Sequence, residues 1–316
     1  MTTDSPAASV IIPAYLTAPY IAQALDSVVA QSFRDFEVIV VNDGSPDTPE
    51  LERVLEPYMA GITYIKQTNQ GPAHARNTGI ASARAPLIAL LDSDDFWAPD
   101  YLATQIGILR ADPNADAVYS NAALFGVPAT EGKTYMEDVL PSDGEVSFVS
   151  LVSGKCNVIG AATMLRRTAI ERAGLYDPKV RLGEDLDLWL RFVKSGGRIV
   201  YHRQPLYHAR YRNDSLSRQS IAMCESVLAI FDQIQKRFQL TGEERAALAQ
   251  AQRRITAELE LDRGKQAFFN GDVPSAIRDI GSANEYYRLL KLRLVLMLMK
   301  TAPGLIRLMD RMRVPR

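Results

Sequence analysis

Three carboxylates lie within four residues at the end of an apolar run. Residues 86–91 are followed by Asp92, Asp94 and Asp95, and a short apolar run bounded by turn residues is typical of a buried parallel strand. The carboxyl end of such a strand is where open α/β sheets bind ligands. Because like charges repel, the cluster indicates a hard divalent cation bound through oxygen, which in turn would hold a phosphate.

Helix capping is the alternative for this cluster. Asp94 or Asp95 can cap the helix that Pro99 and Asp100 begin, because aspartate is a favoured N-cap and proline a favoured first helical residue. For Asp95, which can also orient the loop, we favour the capping role.

Charged residues mark the ends of three other elements. Asp43 ends a second apolar strand, directly before Gly44, which permits a tight turn. Arg76 lies on the helix that precedes the Asp92 strand, and Glu184 and Asp185 begin a further helix.

The elements that must position these residues alternate between strand and helix over the first hundred residues. This alternation predicts a mostly parallel sheet covered by helices on both faces. Up to residue 211, strands are predicted at residues 9–15, 36–43, 62–65, 86–92, 117–120, 158–165, 198–201 and 206–211. Helices are predicted between them at 20–31, 51–59, 73–84, 147–152 and 184–194.

Beyond residue 220 the strand signal disappears, and helices are predicted at 221–237, 243–269 and 275–296. We therefore expect an α/β domain over residues 1–220 and a helical extension over 221–316. Residues 264–277 resemble one tetratricopeptide helix pair. Because such arrays need about three or more repeats, a helical hairpin packed on the first domain is the alternative that we favour.

Composition limits the classes of function. The 316 residues carry a formal net charge of -1, so no nucleic-acid partner is expected. Two distant cysteines, Cys156 and Cys224, suggest neither a disulfide framework nor a zinc site and fit a reducing cytoplasm. With no signal-peptide pattern and no apolar run of about 18 residues, we expect a cytosolic protein, soluble or peripheral on a membrane.

Four motifs occur in an order that resembles family 2 glycosyltransferases. They are Asp43-Gly44-Ser45, the segment 69–79, Asp92-Ser93-Asp94 and Glu184-Asp185, and the resemblance covers roughly residues 8–218. It implies a GT-A fold, a mixed doubly wound sheet with a Rossmann-like nucleotide-binding half. It also implies an inverting enzyme that moves a sugar from a nucleotide-diphosphate donor to a glycan or lipid-linked glycan of the cell envelope. Among such donors, we expect a UDP-linked sugar.

The resemblance assigns a nucleotide side to the site. By this likeness Pro13, Ala14 and Tyr15 form a wall beside the base and ribose, and Asp43 accepts a hydrogen bond from the base. Arg76 then lies on the base or diphosphate side, with Asp92 and Ser93 near the ribose. The alternatives are a strand end at Pro13, a packed Tyr15, an Asx turn at Asp43 and an exposed Arg76.

The resemblance also assigns the metal and the base. Asp94, with Asp92, would bind Mg²⁺ or Mn²⁺ on the diphosphate. Asp185 would be the general base that takes the acceptor proton, and Glu184 would orient the loop or contact the acceptor. Acids in a first helical turn are also favoured by the helix dipole alone, which is the alternative for this pair.

One segment departs from the family pattern. Many relatives have Arg-x-His after the acidic helix, whereas this chain has Arg210 and, in the histidine position, Arg212. Metal ligation from this loop is therefore in doubt, and the two arginines are candidate diphosphate contacts. His208 and His74 are interpreted as structural.

The last segment, residues 288–316, has eight basic residues against Asp310 alone, mixed with leucine and methionine. Such a segment can lie on an anionic membrane, here the inner face. The alternative is a terminal helix packed on the protein with a solvated charged edge.

Two rival functions remain to be weighed. A nucleotidyltransferase would need a glycine-rich, lysine-bearing phosphate loop, which residues 13–16 do not provide. An inactive scaffold would predict decay of the acidic positions, and these are intact. The pocket for the sugar is expected within residues 116–182.

Overall fold

The computed structural model describes residues 5–138, 140, 142–211 and 220–301. The chain divides into two compact units, Met1–Ser215 and Leu216–Arg316. The expected domain boundary near residue 220 adjoins residues 212–219, which lie outside the described residues, and it stays a prediction.

One mixed sheet organises the first unit. Its strands are β1 (Ala8–Ala14), β2 (Phe36–Asp43), β3 (Thr63–Gln67), β4 (Leu87–Leu90), β5 (Phe96–Trp97), β6 (Ala117–Phe125), β7 (Thr163–Arg166) and β8 (Ile199–Arg210). They follow the order β3-β2-β1-β4-β7-β6-β8-β5. Strands β1 to β4 run parallel, β7 is antiparallel to both of its neighbours, and β8 runs parallel to β6 and antiparallel to β5. The predicted α/β fold class is confirmed.

Helices connect these strands. They are α1 (Ile21–Val29), α2 (Thr48–Leu55), α3 (Pro72–Ser82), α4 (Tyr101–Ala111), α5 (Tyr135–Asp138), α6 (Phe148–Ser153), α7 (Arg167–Ala173) and α8 (Glu184–Lys194). Short 3₁₀ turns occupy Glu56–Tyr58, Pro128–Thr130 and Gly160–Ala162.

The centre of the sheet is buried on both faces, as parallel strands covered by helices require. Val10, Ile11 and Ile12 of β1 are fully buried. Helix α3 packs closely on this strand because Gly79 leaves no side chain between them, and a Cβ there would overlap Ile11. The close packing holds α3, and with it Arg76, near the end of β4.

Two strand predictions need correction. Residues 198–201 and 206–211 are one strand, β8, which stays paired with β6 because a register shift between Ser120 and Ala122 absorbs the irregular middle. The predicted strand 158–165 is wrong in its first half, where Gly160–Ala162 form a 3₁₀ turn before β7 begins at Thr163.

The second unit is helical over its described residues, with α9 (Ser220–Arg237), α10 (Gly242–Phe269), α11 (Val273–Tyr287) and α12 (Leu290–Thr301). The single helix predicted over 275–296 is wrong, because the chain breaks at Arg288 with a φ of 53°. Asn284 stabilises the break: its carbonyl accepts from the Arg288 amide at 2.9 Å, and its Oδ1 accepts from the Leu289 amide at 2.8 Å.

Helices α10 and α11 approach closely at Gly264, where a Cβ would lie 2.6 Å from Cγ1 of Ile280. Phe268, Ala276, Ile280 and Met299 form the buried cluster beside this contact. The likeness to a tetratricopeptide pair stays a prediction. Over the described residues, the helices are too short or too polar to span a lipid bilayer.

Candidate active site

The three carboxylates that follow β4 share one turn, in which the Asp95 amide donates to the Asp92 carbonyl at 3.1 Å. Asp92 and Asp94 are half-buried and Asp95 is buried. Burial raises the pKa of Asp95 well above its ordinary value, and the charges of Asp94 and Asp92 raise it further. The turn is therefore an acidic cluster in which Asp94 and Asp92 destabilise the ionised form of Asp95.

Asp95 binds β8 and does not cap α4. The Tyr207 hydroxyl donates to its Oδ2, and the Arg210 amide donates to its Oδ1 at 2.6 Å. Helix α4 begins at Tyr101 with Asp100 in the N-cap position. The favoured capping role is therefore wrong: a buried carboxylate needs hydrogen-bond donors, and β8 supplies them, so Asp95 holds the acidic turn against β8.

Arg210 fixes the same turn from its other side. Its Nε donates to the Asp94 carbonyl at 2.8 Å, and its Nη2 donates to Gln23 at 2.6 Å. The guanidinium lies 4.8 Å from the ring centre of Tyr20 and 4.4 Å from that of Phe125. A diphosphate contact by Arg210 stays a prediction, and Arg212 lies outside the described residues.

Arg76 is buried and joins two parts of the site that are distant in sequence. Its Nη2 donates to Asp92 Oδ1 at 3.0 Å, and its Nη1 donates to Glu184 Oε1 at 2.8 Å. The guanidinium also lies 5.3 Å from the ring centre of Tyr176. The alternative of an exposed arginine is wrong, because both carboxylates hold the side chain inside.

The acidic pair begins α8, as predicted. Gly183 precedes it with a φ of 73°, and Glu184, Asp185 and Asp187 fill the first turn, where the helix dipole favours negative charge. Asp187 points into the protein and pairs with Arg191 at 2.6 Å. Glu184 faces Arg76, so Glu184 and Asp187 pair with different arginines.

The surroundings of Asp185 suit the predicted role of a general base, which stays a prediction. Its Oδ1 is buried and accepts no hydrogen bond within the described part of the chain. Burial raises the pKa of Asp185 to about 7; Arg76 opposes the rise, whereas Glu184 and Asp92 add to it. A carboxylate with a pKa near neutrality is still partly ionised at neutral pH, and it binds a proton more strongly than an ordinary carboxylate does.

Three residues around Asp185 escaped the sequence analysis. A Cβ on Gly160 would overlap the Asp185 carboxylate. Burial raises the pKa of Tyr176 and of Tyr135, and the charge of Asp185 raises both further. Neither periodicity nor motif spacing marks these positions, because they approach Asp185 only in the fold.

The fit at Gly160 gives a test. Gly160→Ala should displace the Asp185 carboxylate and lower kcat by about tenfold or more, because small misplacements of catalytic groups are costly. Gly107→Ala is the matched control, since a Cβ there meets nothing within 4 Å. Steady-state kinetics on both variants would decide, and a Gly160→Ala enzyme with unchanged kcat would contradict this placement of Asp185.

Arg76 gives a second test through the pH profile of the reaction. Arg76→Gln removes a cation that opposes the raised pKa of Asp185. The acidic limb of the profile should therefore move to higher pH by about one pH unit or more. Arg76→Lys should keep the limb in place and lower kcat, because one ammonium cannot replace the two-pronged fork. Arg84→Gln is the control, because the Arg84 side chain is exposed and pairs with Glu37 away from the acidic pair. An unmoved limb in Arg76→Gln would contradict the electrostatic role.

The nucleotide-side candidates lie at the carboxyl ends of adjacent strands. Asp43 is buried, and its Oδ1 accepts from Gln67 Nε2 at 2.6 Å and from the Gln70 amide at 3.0 Å. Its Oδ2 accepts from the Gly71 amide at 2.8 Å. Asp43 thus positions the loop that leads into α3, and its contact with a base stays a prediction.

The loop after β1 is tied to the neighbouring loops. The Leu16 amide donates to Ser45 Oγ at 2.7 Å, and buried Ser93 donates to Thr17 Oγ1 at 3.0 Å. Pro13 and Ala14 end β1, and Tyr15 is 44% exposed. Because β1 lies between β2 and β4 with all three parallel, these residues, Asp43 and the acidic turn share one sheet edge, and their contacts with a nucleotide stay predictions.

The acidic turn has oxygen atoms of the kind that bind divalent cations. Asp92 and Asp94 offer carboxylate oxygens, and the Asp92 side chain is 37% exposed. Within the described residues, His, Cys, Asp and Glu side chains form no group of three or more able to hold a metal ion alone. This arrangement fits Mg²⁺ or Mn²⁺, which proteins commonly hold through one or two carboxylates while substrate phosphates complete the shell.

Comparison with known sequences gives a consistent result. The family model described as "Glycosyl transferase family 2" matches residues 9–174. The putative glycosyltransferase EpsH of Bacillus subtilis is 31% identical over 72% of this chain and 68% of its own. The succinoglycan biosynthesis protein ExoU of Rhizobium meliloti is 30% identical over 66% of this chain and 63% of its own. Some relatives are much longer: the chain spans 36% of an uncharacterized glycosyltransferase of Rickettsia felis.

Solved structures share the fold at low sequence identity. S. aureus TarS 1–349 in complex with UDP superposes with a TM-score of 0.59 at 20% identity, covering 93% of this chain and 86% of that one. The mannosyltransferase PcManGT from Pyrobaculum calidifontis, in complex with GDP-Man and Mn²⁺, gives 0.60 at 20% identity, covering 98% and 88%. At these identities the likeness concerns the fold.

Proposed function

The chain belongs to glycosyl transferase family 2, and from this premise we propose that it is an inverting, metal-dependent enzyme. Its donor is a UDP-linked sugar, and its acceptor is a hydroxyl of a glycan or a lipid-linked glycan. TarS, which shares the fold, has been solved with UDP and with UDP-GlcNAc, and this supports the choice of UDP. The name of ExoU supports a polysaccharide as acceptor.

One observation carries the proposal. The buried Arg76 binds Asp92 at the acidic turn and Glu184 next to Asp185. A single side chain therefore fixes the spacing between the carboxylates suited to a cation and the carboxylate suited to a base. A displacement reaction needs this spacing, because the leaving diphosphate and the attacking hydroxyl lie on opposite faces of the sugar.

In the proposed reaction Asp185 accepts the acceptor's hydroxyl proton as the acceptor oxygen attacks the anomeric carbon. The bond between that carbon and the diphosphate oxygen breaks, and its electron pair leaves with the nucleoside diphosphate. A divalent cation held by Asp92 and Asp94 would neutralise charge on the diphosphate. Asp95 and Arg210 hold the turn that carries these carboxylates, and Arg76 limits the repulsion between the acids.

The proposal predicts how activity depends on pH. Because the pKa of Asp185 is raised to about 7 and only the ionised form accepts a proton, kcat/KM should rise with pH through neutrality. Below the pKa it should fall about tenfold per pH unit. A profile of kcat/KM from about pH 5 to about pH 9 checks this, and a flat profile over that range would argue against Asp185 as the base.

A panel of nucleotide sugars tests the function itself. Each donor is incubated with the full chain and Mn²⁺ or Mg²⁺, and released nucleoside diphosphate is measured, with calorimetry of UDP binding in parallel. Turnover of a UDP-sugar, together with metal-dependent UDP binding, is the expected result. Failure to turn over any donor, with UDP binding absent or independent of metal, would favour an inactive scaffold.

A further inference from the structure

Helix α12 exposes large apolar side chains to solvent along one line. Leu290 is 72% exposed, Leu294 58% and Met297 55%. Residues spaced by four and three positions lie on one face of a helix. We call these three residues the outer ridge.

The outer ridge is not the face that holds α12 on its own unit. Met299 is buried in the cluster with Phe268 and Ile280. Leu292, Val295 and Leu296 pack against the same cluster, and at 100° per residue they lie on the side opposite the ridge. The helix therefore has two apolar faces, and its internal packing uses one of them.

Cations flank the outer ridge on both sides. By the same helical spacing, Lys291 lies on one flank and Arg293 and Lys300 lie on the other. All three are exposed, and α12 contains no acidic residue. Within the described residues none of these three side chains forms an ion pair. The exposed face is thus an apolar line between two basic edges.

We propose that the outer ridge docks α12 onto an anionic lipid surface, with the helix axis parallel to the membrane. The leucine and methionine side chains would enter the acyl boundary. The lysine and arginine stems would extend along the apolar layer and place their charges among the anionic headgroups. This mode needs no membrane-spanning helix, in keeping with the lengths and polarity of the described helices.

A second copy of the chain fits this face poorly. A two-fold interface places the same patch on both partners. The basic edges of one ridge would then face those of the other, with no acidic residue of α12 to offset them. An anionic lipid surface complements both the apolar line and the basic edges.

Vesicle flotation of the full chain tests the proposal. Vesicles of phosphatidylcholine alone are compared with vesicles that also contain phosphatidylglycerol. The wild type should float with the anionic vesicles, and the variant Leu290→Ser/Leu294→Ser/Met297→Ser should lose about tenfold or more of that binding. Val29→Ser/Met59→Ser is the matched control, because those side chains are exposed elsewhere. It should float like the wild type.

A charge variant separates the two parts of the surface. Lys291→Gln/Arg293→Gln/Lys300→Gln should weaken anionic binding by about fivefold for each cation removed. Circular dichroism and thermal melting should be unchanged in both variants, since the altered side chains are exposed. The basic residues beyond residue 301 are present in every protein compared.

Three results would overturn the proposal: equal flotation with both vesicle types, anionic binding by the ridge variant equal to that of the wild type, or no flotation at all. If the wild type forms a dimer in sedimentation that the ridge variant abolishes, and no vesicles are bound, the occupant is a second copy. Donor turnover does not enter this assay, so a failure here leaves the proposed transfer reaction unaffected.

Discussion

Replacing Asp185 with asparagine should lower sugar transfer by about 10²- to 10⁴-fold and leave UDP binding in place. Asparagine keeps the size of the side chain but cannot take a proton at neutral pH. The Oδ1 of Asp185 accepts no hydrogen bond from the described residues, so the exchange removes the charge of the side chain without breaking a hydrogen bond to that atom. Arg76 keeps both of its own carboxylate partners, Asp92 and Glu184.

Asp187→Asn provides the contrast on the same helical turn. Asp187 is buried against Arg191, and breaking a buried ion pair costs about 3–5 kcal/mol. Its loss should lower the melting temperature while kcat, measured well below that temperature, is retained. Transfer by Asp185→Asn at the wild-type rate, with UDP bound normally, would refute the assignment of the base.

The second large effect is expected at the acidic turn. Asp94→Asn should abolish the metal dependence of UDP binding and lower turnover by about 10²-fold or more, because an amide is a much weaker ligand for a hard cation than a carboxylate. The turn itself should persist, since Arg210 holds Asp94 through its backbone carbonyl. Asp94→Asn should therefore impair metal binding without changing the fold of the turn.

Calorimetric titration of Mn²⁺ into the protein, with and without UDP, checks this expectation. Asp100→Asn is the matched control, because that exposed carboxylate is near in sequence and contacts Ser32. It should bind Mn²⁺ and UDP like the wild type. If Asp94→Asn keeps the affinity and the metal dependence of the wild type, Asp94 is not a metal ligand.

Much of the fold could be predicted from local sequence patterns. Strand β2 and helix α8 have the predicted bounds, Phe36–Asp43 and Glu184–Lys194, since a strong apolar pattern and clear end signals coincide there. The helix predicted over 275–296 was wrong because apolar spacing continues through the break. The signal that ends it is a single side chain, Asn284, which bonds to the backbone beyond Tyr287.

The charged residues of the site could be predicted from the sequence, but their hydrogen-bond and ion-pair partners could not. The acidic residues at strand and helix ends could be chosen from the sequence, and their roles toward a substrate stay predictions. The partners of Arg76 could not be chosen, because Glu184 lies 108 residues away. The capping role predicted for Asp95 is wrong for the same reason: its donors, Tyr207 and the Arg210 amide, come from a distant strand.

Gly160 shows what local patterns cannot supply. Its neighbours favour a strand, whereas the chain turns there and leaves space for the Asp185 carboxylate. The requirement comes from α8, which is distant in sequence, so it leaves no periodic signal near Gly160. Positions of this kind become visible only when the two elements are placed together.

The most direct measurement is anomalous diffraction from crystals grown with UDP and Mn²⁺. We expect a manganese peak within coordination distance of Asp94, next to the UDP diphosphate at the end of β4, with Asp185 across the space left for the sugar. Nucleotide bound at another edge of the sheet, or manganese away from Asp92 and Asp94, would contradict the account.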